Sequence, residues 1–340
     1  MEESSSSETR KRTRTESEAG PIGEAGTKRD EEFWFKDGNV VLQAGGVAFR
    51  VYQGSLSLNS EVFAGLFSVP QPTLTDTFDG CPVIELADHP DDLRHLLRAV
   101  FVDQTFYRHN AQLPFVVVAS VVRLAHKYGM EHLRDDALER MKSCFSDDLH
   151  VWAKAEASEG SALMTYDYTD AIAAVNIARL TETQSMLPYA LYTCCQLDTE
   201  VILNGVPQKN GTTERLTQED ILRCLNARST LVHDNIIFAY LLFTPTLPLA
   251  CADQVCHASL QCLAQANLTF EGELEDPTCL ADWITWLAHN EQTRSYNNLC
   301  LNCQAYMQLK ARELRSDIWL RLPHILNLDV RVRDPSAEDP

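Results

Sequence analysis

No run of this sequence is long and apolar enough to span a bilayer. The most hydrophobic short stretch, Ile236 to Phe243, falls well short, and Pro245 and Pro248 follow it closely. The first residues, MEESSSS, lack the apolar core of a secretory signal. Basic residues are scarce: 29 Lys and Arg face 48 Asp and Glu, for a formal net charge of −19. Phosphate contact needs clustered cations, so this balance argues against direct nucleic-acid binding by the folded part. Also missing are a P-loop, G-x-G-x-x-G, H-E-x-x-H and G-x-S-x-G, and the ten histidines show no ligand or triad spacing. The expectation is a soluble intracellular protein, cytoplasmic or nuclear, that is no enzyme and meets neither membrane nor nucleic acid directly.

What is present is apolar material enough for two domains. The chain has 340 residues, 45% of them hydrophobic and 23% charged. Residues 1–31 are rich in Ser, Glu, Arg and Gly and cannot bury enough surface to offset chain entropy, so they read as a disordered tail. Residues 1–30 hold six basic and seven acidic residues, so nearly all of the net charge belongs to the remainder. The run RKRTR, Arg10 to Arg14, has the composition of a nuclear localisation signal, and equally that of a solvated charged tail. Order is expected to begin abruptly at Phe33 to Phe35.

The stretch NVVLQAGGVAFRVYQG reads as a β-hairpin. Gly45-Gly46 supplies the turn, and Val47, Phe49 and Val51 alternate with Ala48, Arg50 and Tyr52 as in a half-buried strand. From Ser60 the period changes. Val62, Phe63, Leu66 and Phe67 have the spacing of a helical face, with Ser60 as N-cap and Glu61 at the positive end. CPVIELAD is a third strand, and Asp88 can cap a helix over HPDDLRHLLRAVF. FVVVASVVRLAHKYG is an apolar helix ended by Gly129, and EHLRDDALERMKSCF follows it. Beyond residue 150 the pattern is helical throughout, with segments at about 169–180, 185–197, 217–227 and 231–243, and a turn-rich loop over 204–211.

This order of elements resembles a BTB/POZ domain. DGNVVL at Asp37 is similar to the family's Asp before a strand. FRVYQGSL, with Phe49, sits where the family has a strand leading into a helix-entry turn. NSEVFAGLF resembles its Ser-x-x-Phe helix, with Ser60 and Phe63 as the matching pair and Phe67 beside them. LAHKYGMEHLRDDAL resembles the terminal helical hairpin. The wider wording looks like the basidiomycete fungal proteins that join a BTB domain to an all-helical half, and the likeness covers about residues 33–328. It implies an α+β fold at 32–149, a helical domain at 150–328 and a tail at 329–340. It implies a protein–protein interaction module that forms a homodimer, with two other readings open: a substrate adaptor of a cullin-3 ubiquitin ligase, or a transcriptional regulator acting through a DNA-binding partner. Two positions depart from the family. Tyr52-Gln53 stands in place of His-Arg, and Val69-Pro70-Gln71 carries Gln where the cullin-binding pattern has Glu.

The eleven cysteines are too few for a disulfide scaffold in a chain of this length. Cys251-x4-Cys256-His257-x4-Cys262 is followed by Cys279 and by Cys300-x2-Cys303. Cys251, Cys256, Cys300 and Cys303 could supply a structural zinc site with four thiolates, or three thiolates with one imidazole. The alternative is that these cysteines are small apolar residues on buried helix faces, the reading that suits Cys194-Cys195.

Overall fold

The computed structural model describes residues 26–68, 77–102, 111–208, 211–243, 251, 253–267 and 274–330. The basic run at Arg10 to Arg14, the Val69-Pro70-Gln71 segment and the expected tail from residue 331 onward lie outside these. The protein is α+β: a five-stranded sheet with helices in the N-terminal region, then a helical region. Its packing divides into two compact units, one ending at Leu97 and the other starting at Arg98.

In the N-terminal unit, β1 (Lys28–Trp34), β2 (Val40–Ala44), β3 (Val47–Val51), β4 (Thr77–Phe78) and β5 (Cys81–Leu86) lie in the order β1-β3-β2-β5-β4. The hairpin forms as read. Gly45 and Gly46 both take positive φ (51° and 77°), and Ala44 pairs with Val47 across the turn. Strand β2 lies antiparallel to β3 and parallel to β5. The sheet is covered on both faces, more than the alternation of β3 suggested. Leu42, Phe49 and Val51 are fully buried, while Val41 and Ala48, which point the other way, are buried with Phe78 and Cys81 beneath Trp34 and Val83. Three helices complete the unit: α1 (Gln53–Asn59), α2 (Glu61–Ser68) and α3 (Pro90–Leu97).

Two expectations fail here. Order does not wait for Phe33: β1 starts at Lys28, so residues 28–31 belong to the sheet, not to a tail. The cause is Asp30, which is buried. Its carboxylate accepts from the amides of Glu32 (3.0 Å) and Phe33 (2.8 Å), and from Arg94 of α3 at 2.9 and 2.8 Å. A polar stretch thereby gains a buried, fully partnered anchor that composition does not reveal. The second miss is α1. Gln53–Asn59 is helical, so two short helices, not a bare turn, join the hairpin to the rest. Ser60 ends the first and caps the second, its Oγ accepting from the Phe63 amide at 3.0 Å.

The C-terminal unit contains α4 (Phe115–Lys127), α5 (Glu131–Lys142), α6 (Leu149–Ala157), α7 (Ala171–Leu180), α8 (Leu187–Cys195), α9 (Thr199–Asn204), α10 (Gln218–Phe243), α11 (Gln254–Asn267), α12 (Trp283–His289) and α13 (Leu301–Ile325). Gly129 closes the α4 end at φ 66°, as read. The α4–α5 hairpin, assigned from the sequence to 32–149, shares one core with α7, α8 and α10: Val118, Val121 and Met141 are buried in the same cluster as Ile172, Leu191 and Phe238. Packing therefore divides the chain some fifty residues before the boundary expected at 149. The two segments read at 217–227 and 231–243 are one 26-residue helix, α10, because nothing between them breaks the backbone ladder. Thr217 caps it, its Oγ1 accepting from the Asp220 amide at 3.1 Å. Short strands also occur beyond 150, contrary to expectation: β6 (Leu113–Pro114) pairs with β7 (Met164–Thr165), and β8 (Val206–Pro207) with β9 (Thr213–Glu214).

Candidate metal centre

Four sulfurs converge where α11 and α13 begin. Cys251 lies just before α11, and Cys256 occupies the first turn of that helix. Cys300 is the N-cap of α13, in extended conformation (φ −64°, ψ 159°), and Cys303 follows in its first turn. Each pair thus straddles a helix start. One member of each pair precedes the helical residues and the other lies in the first turn, where backbone amides lack intrahelical partners. Asp253 shapes the first entry, its Oδ1 accepting from the Val255 amide at 2.9 Å.

The Sγ atoms of Cys251, Cys256, Cys300 and Cys303 all lie within 4.8 Å of one another, and those of Cys251 and Cys300 are 3.9 Å apart. Four thiolates around one ion at a bond length of about 2.3 Å would stand about 3.8 Å apart at the corners of a tetrahedron. The Cys251–Cys300 pair has that spacing, and the other pairs, within 4.8 Å, are close enough for one ion to draw together. Cys256 and Cys303 are buried, while Cys251 and Cys300 are half-buried.

Electrostatics at the cluster are uneven. The Cys303 backbone amide, and then its thiol, hold Cys300 down to about 7. Cys256 stands above the ordinary thiol value: the Cys300 amide, which donates to its sulfur at 3.2 Å, favours the thiolate, but burial and the thiols of Cys300 and Cys251 outweigh it. Burial first, then the thiols of Cys251, Cys300 and Cys256, drive Cys303 upward as well. Without a cation, one deprotonated sulfur suppresses ionisation of the others. A divalent ion reverses that, because it stabilises all four thiolates together. The arrangement can hold a metal ion. It does not include His257, which is exposed, nor exposed Cys262, nor Cys279, which is buried near Tyr192. Of the ligand sets left open by the sequence, the four-cysteine set is the one brought together. Cys194 and Cys195 are core residues of α8, with Cys195 Sγ directed at the Cys224 carbonyl at 3.7 Å.

The residues singled out in the N-terminal unit divide between core and surface. Phe49 and Phe63 are fully buried, and Ser60 is buried as a cap. Phe67 is half-buried and stacks on Phe63, ring centroids 5.8 Å apart. Asp37 is exposed and accepts from the Tyr52 hydroxyl at 2.6 Å, and Phe35 stacks on the same tyrosine. That hydrogen bond is the first cause of an Asp37 carboxyl below the ordinary range. What sequence reasoning missed is Leu58. It is 86% exposed near the end of α1, four residues before Val62 of α2 at 46%. With α1 read as a turn, no periodicity marked it.

The described residues hold no helix long and apolar enough to cross a membrane. Comparison with protein-family models and with curated proteins finds no match for this chain.

Proposed function

We propose that this chain is a non-enzymatic protein–protein interaction protein. Residues 32–149 carry a BTB/POZ-like module that pairs with a second copy, and the helical part beyond is fastened by a structural zinc ion on Cys251, Cys256, Cys300 and Cys303. The observation that carries the interaction reading is the contrast along α1 and α2. Leu56 and Phe63 are wholly buried in the unit, whereas Leu58 and Val62, four residues apart in the same short helical stretch, are exposed. Exposed apolar residues of this kind are stabilised by a partner's apolar surface, which a two-fold dimer supplies. Support for zinc comes from four thiol donors within 4.8 Å of one another; a four-thiolate zinc site leaves no coordination position for substrate. A closed four-thiolate site is structural, so it agrees with the non-enzymatic reading.

One preparation of the full chain tests both parts. Sedimentation at micromolar concentration should give a dimer that Leu58→Asp with Val62→Asp converts to monomer; a monomeric wild type would refute the pairing. Elemental analysis of the same protein, kept reduced, should find one zinc per chain, lost when Cys300 and Cys303 are both changed to Ser. A metal-free wild type of unchanged stability would leave the thiols as packing.

A further inference from the structure

We infer that the metal centre is a peroxide-responsive clasp, in which a hydroperoxide joins Cys251 to Cys300 as a disulfide and expels the zinc. The inference rests on the zinc reading above and assigns that site a regulatory chemistry.

Three observations select this pair. Exposure is the first. Cys251 and Cys300 are half-buried, whereas Cys256 and Cys303 are 0% and 1% exposed. A small oxidant approaching from solvent therefore meets the first two sulfurs. Distance is the second: Cys251 Sγ and Cys300 Sγ stand 3.9 Å apart, and a disulfide needs about 2.05 Å. Backbone freedom is the third. Cys251 precedes α11, and Cys300 is the extended N-cap of α13, tied to that helix only by its carbonyl, which accepts from the Gln304 amide at 3.0 Å. Cys256 and Cys303 sit inside first turns and would have to distort them to move.

The chemistry balances with the hydroperoxide as the only co-reactant. One thiolate attacks the O–O bond, forming a sulfenic acid and releasing hydroxide, or alkoxide from an organic hydroperoxide. The second thiolate attacks that sulfur, the S–S bond forms, and a second hydroxide leaves. Two electrons pass from the sulfur pair to the peroxide. Zinc itself is redox-inert and loses two of its four ligands. It departs as the aqueous ion, and Cys256 and Cys303 take up protons. The new bond links residues 49 apart in the chain, so the two helix starts stay tied after the metal has gone. A second thiol group provides an internal contrast: Cys194, Cys195 and Cys224 are fully buried, so a solvent-borne oxidant should spare them.

The test treats zinc-loaded, reduced full chain with hydrogen peroxide while a chromophoric chelator reports free zinc. Non-reducing digestion and mass spectrometry then map the bridge. The expected result is one zinc released for each Cys251–Cys300 disulfide formed, reversed by dithiothreitol and zinc. The variant Cys251→His keeps a metal-ligating side chain but cannot form the bridge; it should hold zinc and release it at least about tenfold more slowly. Cys300→His serves in the same way if the first variant fails to load. Zinc retained under excess peroxide, or released without this disulfide, overturns the inference and leaves the zinc site intact. Purified wild type without zinc overturns the zinc reading first, and with it the clasp.

Discussion

Asp30 of the N-terminal unit and Cys256 of the C-terminal unit are both polar side chains removed from water, and their surroundings differ in kind. Asp30 finds every partner within the protein: two amides from its own strand and a two-pronged contact from Arg94. Cys256 accepts from one amide at 3.2 Å, has the Asp253 carboxylate 3.8 Å from its sulfur, and is otherwise crowded by three further thiols. The first arrangement is complete and serves folding. The second concentrates donors of one kind that repel when ionised, and it becomes favourable only around a cation. How far the chain itself satisfies a buried polar group thus separates an anchor from a binding site.

Three changes in the N-terminal unit sharpen this contrast, since each should leave the zinc content of the other unit unchanged. Phe63→Ala should have the largest effect. It removes a fully buried ring from beneath the sheet and should cost about 3–5 kcal/mol by denaturant titration of the first unfolding transition. A cost below about 1 kcal/mol would mean that the helix face can collapse over the gap. Asp30→Ala comes next, at about 1.5–3 kcal/mol, since it breaks the charge-assisted hydrogen bonds from the Glu32 and Phe33 amides and from Arg94. Arg94 moderates the loss, because it keeps its contact with Asp91. A chain truncated to start at Glu31 should show the same deficit; unaltered melting would return residues 28–30 to the tail.

Tyr52→Phe should have the smallest effect. It deletes the hydroxyl that holds the exposed Asp37 carboxyl below its ordinary value. A carboxyl depressed in the folded state adds stability above its unfolded pKa, and that stability is lost as the pH falls through the folded value. The wild type should therefore show this small extra stability near neutral pH and lose it on acidification, and the variant should not. An Asp37 titration followed by NMR should move up toward the ordinary carboxylate range in the variant; an unmoved midpoint would assign the depression to the backbone instead.

Much of the fold was legible because its signals are local. A two-glycine turn, the Ser60 cap and the Gly129 stop each act within three or four residues of the chain, where backbone hydrogen bonds close. The α10 helix was misread as two for the same reason: a weak stretch looks like a break until packing carries the ladder through it.

What the amino-acid order determined alone was the supply of groups: thiols in two pairs, an aromatic and apolar strand set, an acidic balance and some of the places where helices start or stop. Only the tertiary structure decided which of those groups meet. It carried Cys251 and Cys256 to Cys300 and Cys303 across more than forty residues, left His257 and Cys262 outside, and set Asp30 against Arg94. The physical reason is range. Capping and periodicity are written in neighbouring residues, whereas the meeting of two distant helix ends follows from how the apolar faces between them pack.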